Sequence, residues 1–148
     1  MPPAPPNWQP VTEPRLVFRF LKRPDPAADD FADNFKSDGE ANKRLHDDEH
    51  PDVLTGMSVF NSEEAARKRF AAVRDDVLRK RSDTNRRRNR PPPPIRIGEH
   101  IGEVLLTAGQ GFEIADDDDP EGHLTLRGDK DQLAARVARI YPAGRDPT

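Results

Sequence analysis

Arg15-Leu16-Val17-Phe18-Arg19-Phe20-Leu21 is the stretch on which the fold turns. It is rich in β-branched and aromatic residues and is closed by Arg23-Pro24, so it reads as a strand. Side chains alternate along a strand, which puts Leu16, Phe18 and Phe20 on one face and Val17, Arg19 and Leu21 on the other. Both faces carry apolar residues, and each is therefore expected to be partly covered. Arg19 stands in the middle of the run. A charge placed there is at least partly desolvated and needs a carboxylate or a ligand as its partner.

Further strands follow downstream. Gly56-Met57-Ser58-Val59-Phe60 is the second, and Ile95 to Ile97, Ile101 to Thr107, Phe112 to Ala115 and His123 to Arg127 are strand-like. A last short strand includes Arg139, Ile140 and Tyr141. Asn61 or Ser62 can cap a helix whose apolar positions Ala66, Phe70, Val73, Val77 and Leu78 follow helical spacing, with Glu63 and Glu64 at its positive end. This helix is expected to run to about Arg81, where Ser82-Asp83-Thr84-Asn85 offers loop chemistry. A second helix starts at Asp129 as cap, with Gln132 three residues on, and presents Leu133, Ala134 and Val137. Phe31 and Phe35 suggest a short amphipathic turn of helix inside an otherwise solvated excursion. Without regular strand-helix alternation, the class is α+β: a small mixed or mainly antiparallel sheet of 5–6 short strands with two main helices.

Composition fits one modest domain. Leu, Ile, Val and Phe together make up 30 of the 148 residues, while net charge is only -3. The apolar residues cluster in runs, which favours a folded body with polar extensions. Six prolines fall in the first fourteen residues, so residues 1–13 read as a flexible Pro-rich arm. Residues 14–143 form the domain, interrupted by an Arg/Pro-rich linker at 82–94, and 144–148 are a disordered tail. Nothing approaches the roughly 20 apolar residues of a membrane helix, and the N-terminus lacks the pattern of a secretory signal, so a cytoplasmic protein without membrane contact is expected. There is no cysteine, which excludes disulfides, thiolate nucleophiles and Cys-based metal sites. Eighteen Arg against six Lys suggests a GC-rich bacterial genome.

Several patterns invite a chemical reading. His46-Asp47-Asp48-Glu49-His50 fits the H-x-x-E-H signature of inverted zinc proteases, but Pro51 disfavours helical geometry at His50, so a solvated acidic loop is expected and no metal is assigned. Asp117, Asp119, Glu121 and Gly122 match the first half of a calcium-binding loop, whereas the twelfth position is Gly128 in place of the bidentate Glu, and a charged hairpin turn is the simpler reading. Charge is segregated along the chain. Residues 67–96 are net +9, residues 25–52 net -7 and residues 113–131 net -6. The arginines Arg86, Arg87, Arg88 and Arg90 could neutralise phosphates, yet no aromatic is interleaved to stack bases and the calculated pI is near 5.8. They are candidates for contact with a protein partner, and Trp8, isolated in the arm, is expected either to dock on the domain surface or to anchor such a partner. His123, Thr125 and Arg127 share one face of their strand, with Leu124 and Leu126 opposite, and make a candidate polar ligand surface.

Gly56-Met57-Ser58-Val59-Phe60-Asn61-Ser62-Glu63-Glu64-Ala65-Ala66-Arg67 resembles the strand-then-helix unit of the ADP-ribosyltransferase-like superfamily, where a Gly-led apolar strand feeds a Ser- and Ala-rich helix. The resemblance implies an NAD site in which Arg19 supplies the early-strand arginine, Ser58 the middle-strand serine, and Glu103 or Glu113 the late glutamate.

No constellation in the sequence amounts to an active site. The leading expectation is a small non-enzymatic accessory or regulatory protein that binds another protein, for which the product of an adjacent gene is the natural candidate, with no cofactor. An NAD-utilising ADP-ribosyltransferase-like enzyme, or a degenerate relative of one, is the alternative. A nucleic-acid-associated factor is the third.

Overall fold

The structure, a computed structural model, describes residues 5–41, 50–88, 98–116 and 119–144, and for 77–88 it describes the backbone alone. Among the described residues, seven strands make one antiparallel sheet: β1 (Trp8–Pro10), β2 (Arg15–Leu21), β3 (Met57–Phe60), β4 (His100–Leu106), β5 (Glu113–Ala115), β6 (His123–Arg127) and β7 (Val137–Pro142). Their spatial order is β1-β5-β6-β3-β2-β4-β7. Two helices accompany them, α1 (Glu63–Arg88) and α2 (Lys130–Ala135), with 3-10 turns at Phe31–Phe35 and Pro51–Thr55. The class is α+β, as the mixture of strand and helix signals implies. The sheet has one strand more than the upper expectation, because the segment around Trp8 joins it.

The two faces of β2 enter two separate cores. Val17 and Leu21 pack with Met57, Val59, Val104, Leu106, Ile114, Leu124 and Leu126, roofed by Phe31 and Phe35 of the first 3-10 turn and Leu133 of α2. Phe18 and Phe20 face the other way, against Phe60, Ile101, Tyr141 and, from α1, Ala66 and Phe70. Each large apolar side chain buried this way contributes about 1.5–3 kcal/mol. Phe31 and Phe35 thus belong to the main core. Their spacing in sequence fits either a helix or a tighter turn, and the 3-10 geometry sets both rings edge to face, with centroids 6.2 Å apart.

Helix α1 begins where its capping chemistry predicts, with Ser62 Oγ accepting from the amide of Ala65 at 3.0 Å. It does not stop at Arg81 but continues to Arg88. Between Glu63 and Asn89 there is neither Gly nor Pro, and the Arg and Lys that dominate the second half are good helix formers, so Ser82 to Asn85 are too weak to end it. Residues 82–88, expected as linker, are helical, while 89–94 and the expected strand at 95–97 lie outside the described residues. In α2, Asp129 is the cap, its Oδ2 accepting from the amide of Gln132 at 3.0 Å. The helix stops at Ala135, so Val137 belongs to β7. No helix among the described residues is long and apolar enough to cross a membrane.

Candidate functional site

The site forms where the sheet opens in its middle. β2 pairs along its whole length with β4, but with β3 it shares the bridge Phe18↔Phe60, after which the two strands part. Arg19 fills the opening. Its Nη1 donates to the carbonyl oxygen of Ser58 at 2.7 Å and its Nε to the carbonyl oxygen of Asn34 at 3.0 Å, so one side chain supplies what ladder hydrogen bonds would otherwise give. Burial lowers the pKa of this guanidinium to about 10, opposed by the negative charge of Asp38. It therefore remains a cation at neutral pH. The buried amide of Asn34 ties the same corner down. Its Oδ1 accepts from the amides of Lys22 and Arg23, each at 3.0 Å, and its Nδ2 donates to the carbonyls of Arg23 and Phe31, each at 2.8 Å.

Above this corner lies a cleft of about 800 Å³, within the usual range for ligand sites. Phe20 and Phe60 give it an apolar wall, edge to face with centroids 5.4 Å apart. His123 continues the wall, its ring edge to face with Phe60 at 5.8 Å. His123 Nε2 lies 2.9 Å from Ser58 Oγ, a hydrogen bond whose direction depends on the tautomer. Among the described residues, five cations line the cleft, Arg19, Lys22, Arg23, Lys36 and Arg69, against three carboxylates, Asp33, Asp119 and Glu121. Arg23 is engaged by Asp30 at 2.8 Å and Lys36 approaches Asp33 at 3.8 Å, while Lys22 and Arg69 stand exposed at the rim. The described lining is net positive, with hydrogen-bonding groups at its centre and an aromatic surface beside them. Such a cleft can hold an anionic group. The Ser58–His123 contact has the geometry of a nucleophile and its base, and it is equally an ordinary cross-strand bond satisfying two half-buried polar groups.

The turn that carries Asp119 and Glu121 into the cleft depends on Gly122. Its φ is +80°, a left-handed conformation, and a Cβ there would stand 2.5 Å from Asn61 Oδ1 and 2.9 Å from the Cβ of Ala65. Glycine lets the turn lie against the start of α1, where the amide of Asn61 donates to the carbonyl of Gly122 at 3.0 Å.

Among the residues singled out in sequence, Arg19 and Ser58 share this cleft. Glu103 and Glu113 do not. Glu103 is buried on β4, its Oε2 3.7 Å from Arg139 Nη1, on the α1 side of the sheet. Glu113 lies on β5 and binds Arg127 at 2.8 Å. The carboxylates that do reach the cleft are Asp33, which the sequence did not mark, and Asp119 and Glu121, which it marked only as part of an incomplete calcium-loop pattern in an acidic turn. His123, Thr125 and Arg127 share a face as alternation requires, with Leu124 and Leu126 buried opposite, but they serve two places. His123 belongs to the cleft, whereas Arg127 lies over the ring of Trp8, its guanidinium carbon 4.3 Å from the centroid, and Thr125 stands opposite Ala115, the register partner of Trp8. Trp8 itself is docked on the sheet, its Nε1 donating to Asp52 Oδ2 at 3.0 Å.

Arg86, Arg87 and Arg88 are helical, with side chains outside the described residues, and Arg90 lies outside them altogether. So do His46 to Glu49 and Asp117. His50 is described, and its Nδ1 accepts from the amide of Asp52 at 3.0 Å, capping the second 3-10 turn.

A second polar cluster sits on the α1 side near β7. Arg67 donates to Glu63 at 2.8 Å, and that hydrogen bond holds the Glu63 carboxyl below its usual range. The guanidinium carbons of Arg67 and Arg139 lie 5.1 and 5.3 Å from the Tyr141 ring centroid. Burial, reinforced by the nearby Glu103 and Glu63, pushes the Tyr141 phenol well above its ordinary value. Arg67 Nη1 also donates to the carbonyl oxygens of Pro142 at 3.3 Å and Ala143 at 2.9 Å, so the cluster ties α1 to the end of β7.

No protein-family model, curated protein or solved structure matches this chain.

Proposed function

We propose that the protein is a small accessory or regulatory protein that works by binding a protein partner, and that the cleft between β2 and β3 receives an acidic segment of that partner. The observation that carries this reading is the lining itself: among the described residues, five cations against three carboxylates around an aromatic wall, in a cleft of ligand-binding size. Arg19 holds the cleft open and contributes a fixed positive charge. Lys22 and Arg69 at the rim are free to meet carboxylates of the incoming chain.

The test is charge reversal. A partner captured from the native host should bind the Lys22→Glu, Arg69→Glu double variant at least ten-fold more weakly, and bind Lys68→Glu, an exposed change away from the cleft, as it binds the parent. Equal binding by the double variant and the parent would remove the cleft from the interaction.

One observation favours the enzymatic alternative: Arg19 and Ser58 line a single cleft together with the carboxylates of Asp119 and Glu121. In that reading NAD is the ligand and Ser58 and His123 contact it. Turnover of NAD by the purified protein, abolished in Ser58→Ala, would establish it, and absence of both binding and turnover at millimolar NAD would retire it.

A further inference from the structure

Exposed ion pairs hold little by themselves, because water and salt compete for both partners. Lys22 and Arg69, exposed at the rim of the cleft, can therefore steer and orient an acidic segment without anchoring it. Affinity at a protein interface comes chiefly from a few side chains buried in pockets, and aromatic residues are prominent among them. The cleft has a surface for such a side chain.

Three rings stand in a row across three neighbouring strands. His123 of β6 lies opposite Phe60 of β3 in register, with ring centroids 5.8 Å apart and planes at 81°. Phe60 in turn meets Phe20 of β2 at 5.4 Å and 63°. All three line the cleft, and Phe20 and His123 are half-buried, so each keeps surface that an occupant can cover. The row is held on both sides: His123 Nε2 lies 2.9 Å from Ser58 Oγ, and Phe20 meets Phe70 of α1 at 6.2 Å.

Both exposed cations are neighbours of Phe20. Lys22 follows it by two positions, a separation of at most about 7 Å along the chain. Arg69 precedes Phe70, the α1 residue whose ring meets Phe20. The carboxylates Asp119 and Glu121 come from the turn before β6, on the far side of β3, and Asp33 is offset by Lys36 at 3.8 Å. Positive charge is thus gathered around one end of the ring row and negative charge at the other.

Given the acidic-segment reading of the cleft, on which this rests, we infer that the segment carries an aromatic side chain between its acidic residues. The ring packs against Phe20, Phe60 and His123, and the flanking carboxylates meet Lys22 and Arg69. An aromatic ring suits the place better than an aliphatic side chain. Rings that already meet edge to face extend the same arrangement to a further ring, the positive edge of one against the negative face of the next.

Three synthetic peptides test this on the full chain by fluorescence anisotropy: Gly-Glu-Glu-Phe-Glu-Glu-Gly with a terminal dye, and the same peptide with Leu or Ser in place of Phe. Charge is constant across the three, so differences report the central side chain. The Phe peptide should bind about ten-fold or more tighter than the Ser peptide and about three-fold or more tighter than the Leu peptide. Phe20→Leu should remove the preference for Phe over Leu while salt-sensitive binding persists, with circular dichroism and Trp8 emission as the check on its fold. His123→Leu, at the other end of the row, is a second variant expected to reduce the same preference. A preference unchanged in both variants would place the ring elsewhere and overturn the inference. Equal binding of all three peptides, weakened in the Lys22→Glu, Arg69→Glu double variant, would overturn the aromatic anchor and leave the acidic-segment reading standing. Failure of all three to bind at millimolar concentration would overturn both.

Discussion

Arg19 Nη1 donates a 2.7 Å hydrogen bond to the carbonyl oxygen of Ser58 across the point where β2 and β3 separate. This contact converts a break in the sheet into a supported cleft. A guanidinium can do so because its planar fork reaches two carbonyls at once, here Ser58 and Asn34, while the charge it carries lines the opening.

Arg19→Leu should destabilise the fold by about 3 kcal/mol, since two carbonyl oxygens lose their donor in a site where water replaces it poorly. Arg19→Lys should recover less than half of that, because an ammonium cannot hold both carbonyls in the same geometry. Urea unfolding of the three proteins side by side checks both statements. A Lys variant as stable as the parent would reduce Arg19 to a point charge.

Asn34→Asp should be nearly as damaging as Asn34→Ala, at about 2–4 kcal/mol. The amide both donates to and accepts from the backbone, and a carboxylate would set negative oxygens against the carbonyls of Arg23 and Phe31. Thermal melts near neutral pH would show a fall in Tm for both variants. Because Asn34 anchors the end of β2, spectra of Lys22 and Arg23 should change with it.

Tyr141 gives the protein an alkaline limit. Its phenol is held protonated in the folded state, above the ordinary value of 10.0 that it regains on unfolding. The sign follows: the contribution to stability is fully present below pH 10, and it is lost as pH rises from there towards the raised folded-state value. As the sole tyrosine, it can be followed by phenolate absorbance, which should rise together with the loss of near-ultraviolet circular dichroism. Ionisation at the ordinary pH in a still-folded protein would contradict the assignment.

Arg127→Ala should uncover Trp8. The guanidinium over the indole is worth about 0.5–1 kcal/mol at such a partly exposed position, so global stability should change little while tryptophan emission moves to the red. Asp52→Ala should move it in the same direction by removing the acceptor of the indole N–H. Emission identical to the parent in both variants would mean that the ring does not rest on the sheet.

Strands β2 to β7 and both helix starts were legible in the sequence, because they depend on neighbours in the chain. Alternation in Arg15 to Leu21 and in His123 to Arg127 set the faces, and Ser62 and Asp129 set the caps, all through contacts no more than a few residues long. Local chemistry also marked Arg19 as a charge in need of a partner. The partner itself was not legible. That Arg19 meets two backbone carbonyls, that His123 meets Ser58 across 65 positions, and that the turn bearing Asp119 and Glu121 reaches the same cleft all follow from strand order. For Trp8, docking on the domain is readable from an isolated indole in a Pro-rich arm, but the place where it docks is not, until a sheet edge and the space above Gly56 exist to receive it. Strand order is decided by which long-range pairings bury the most apolar surface together, a property of the assembled sheet that no single stretch of residues contains.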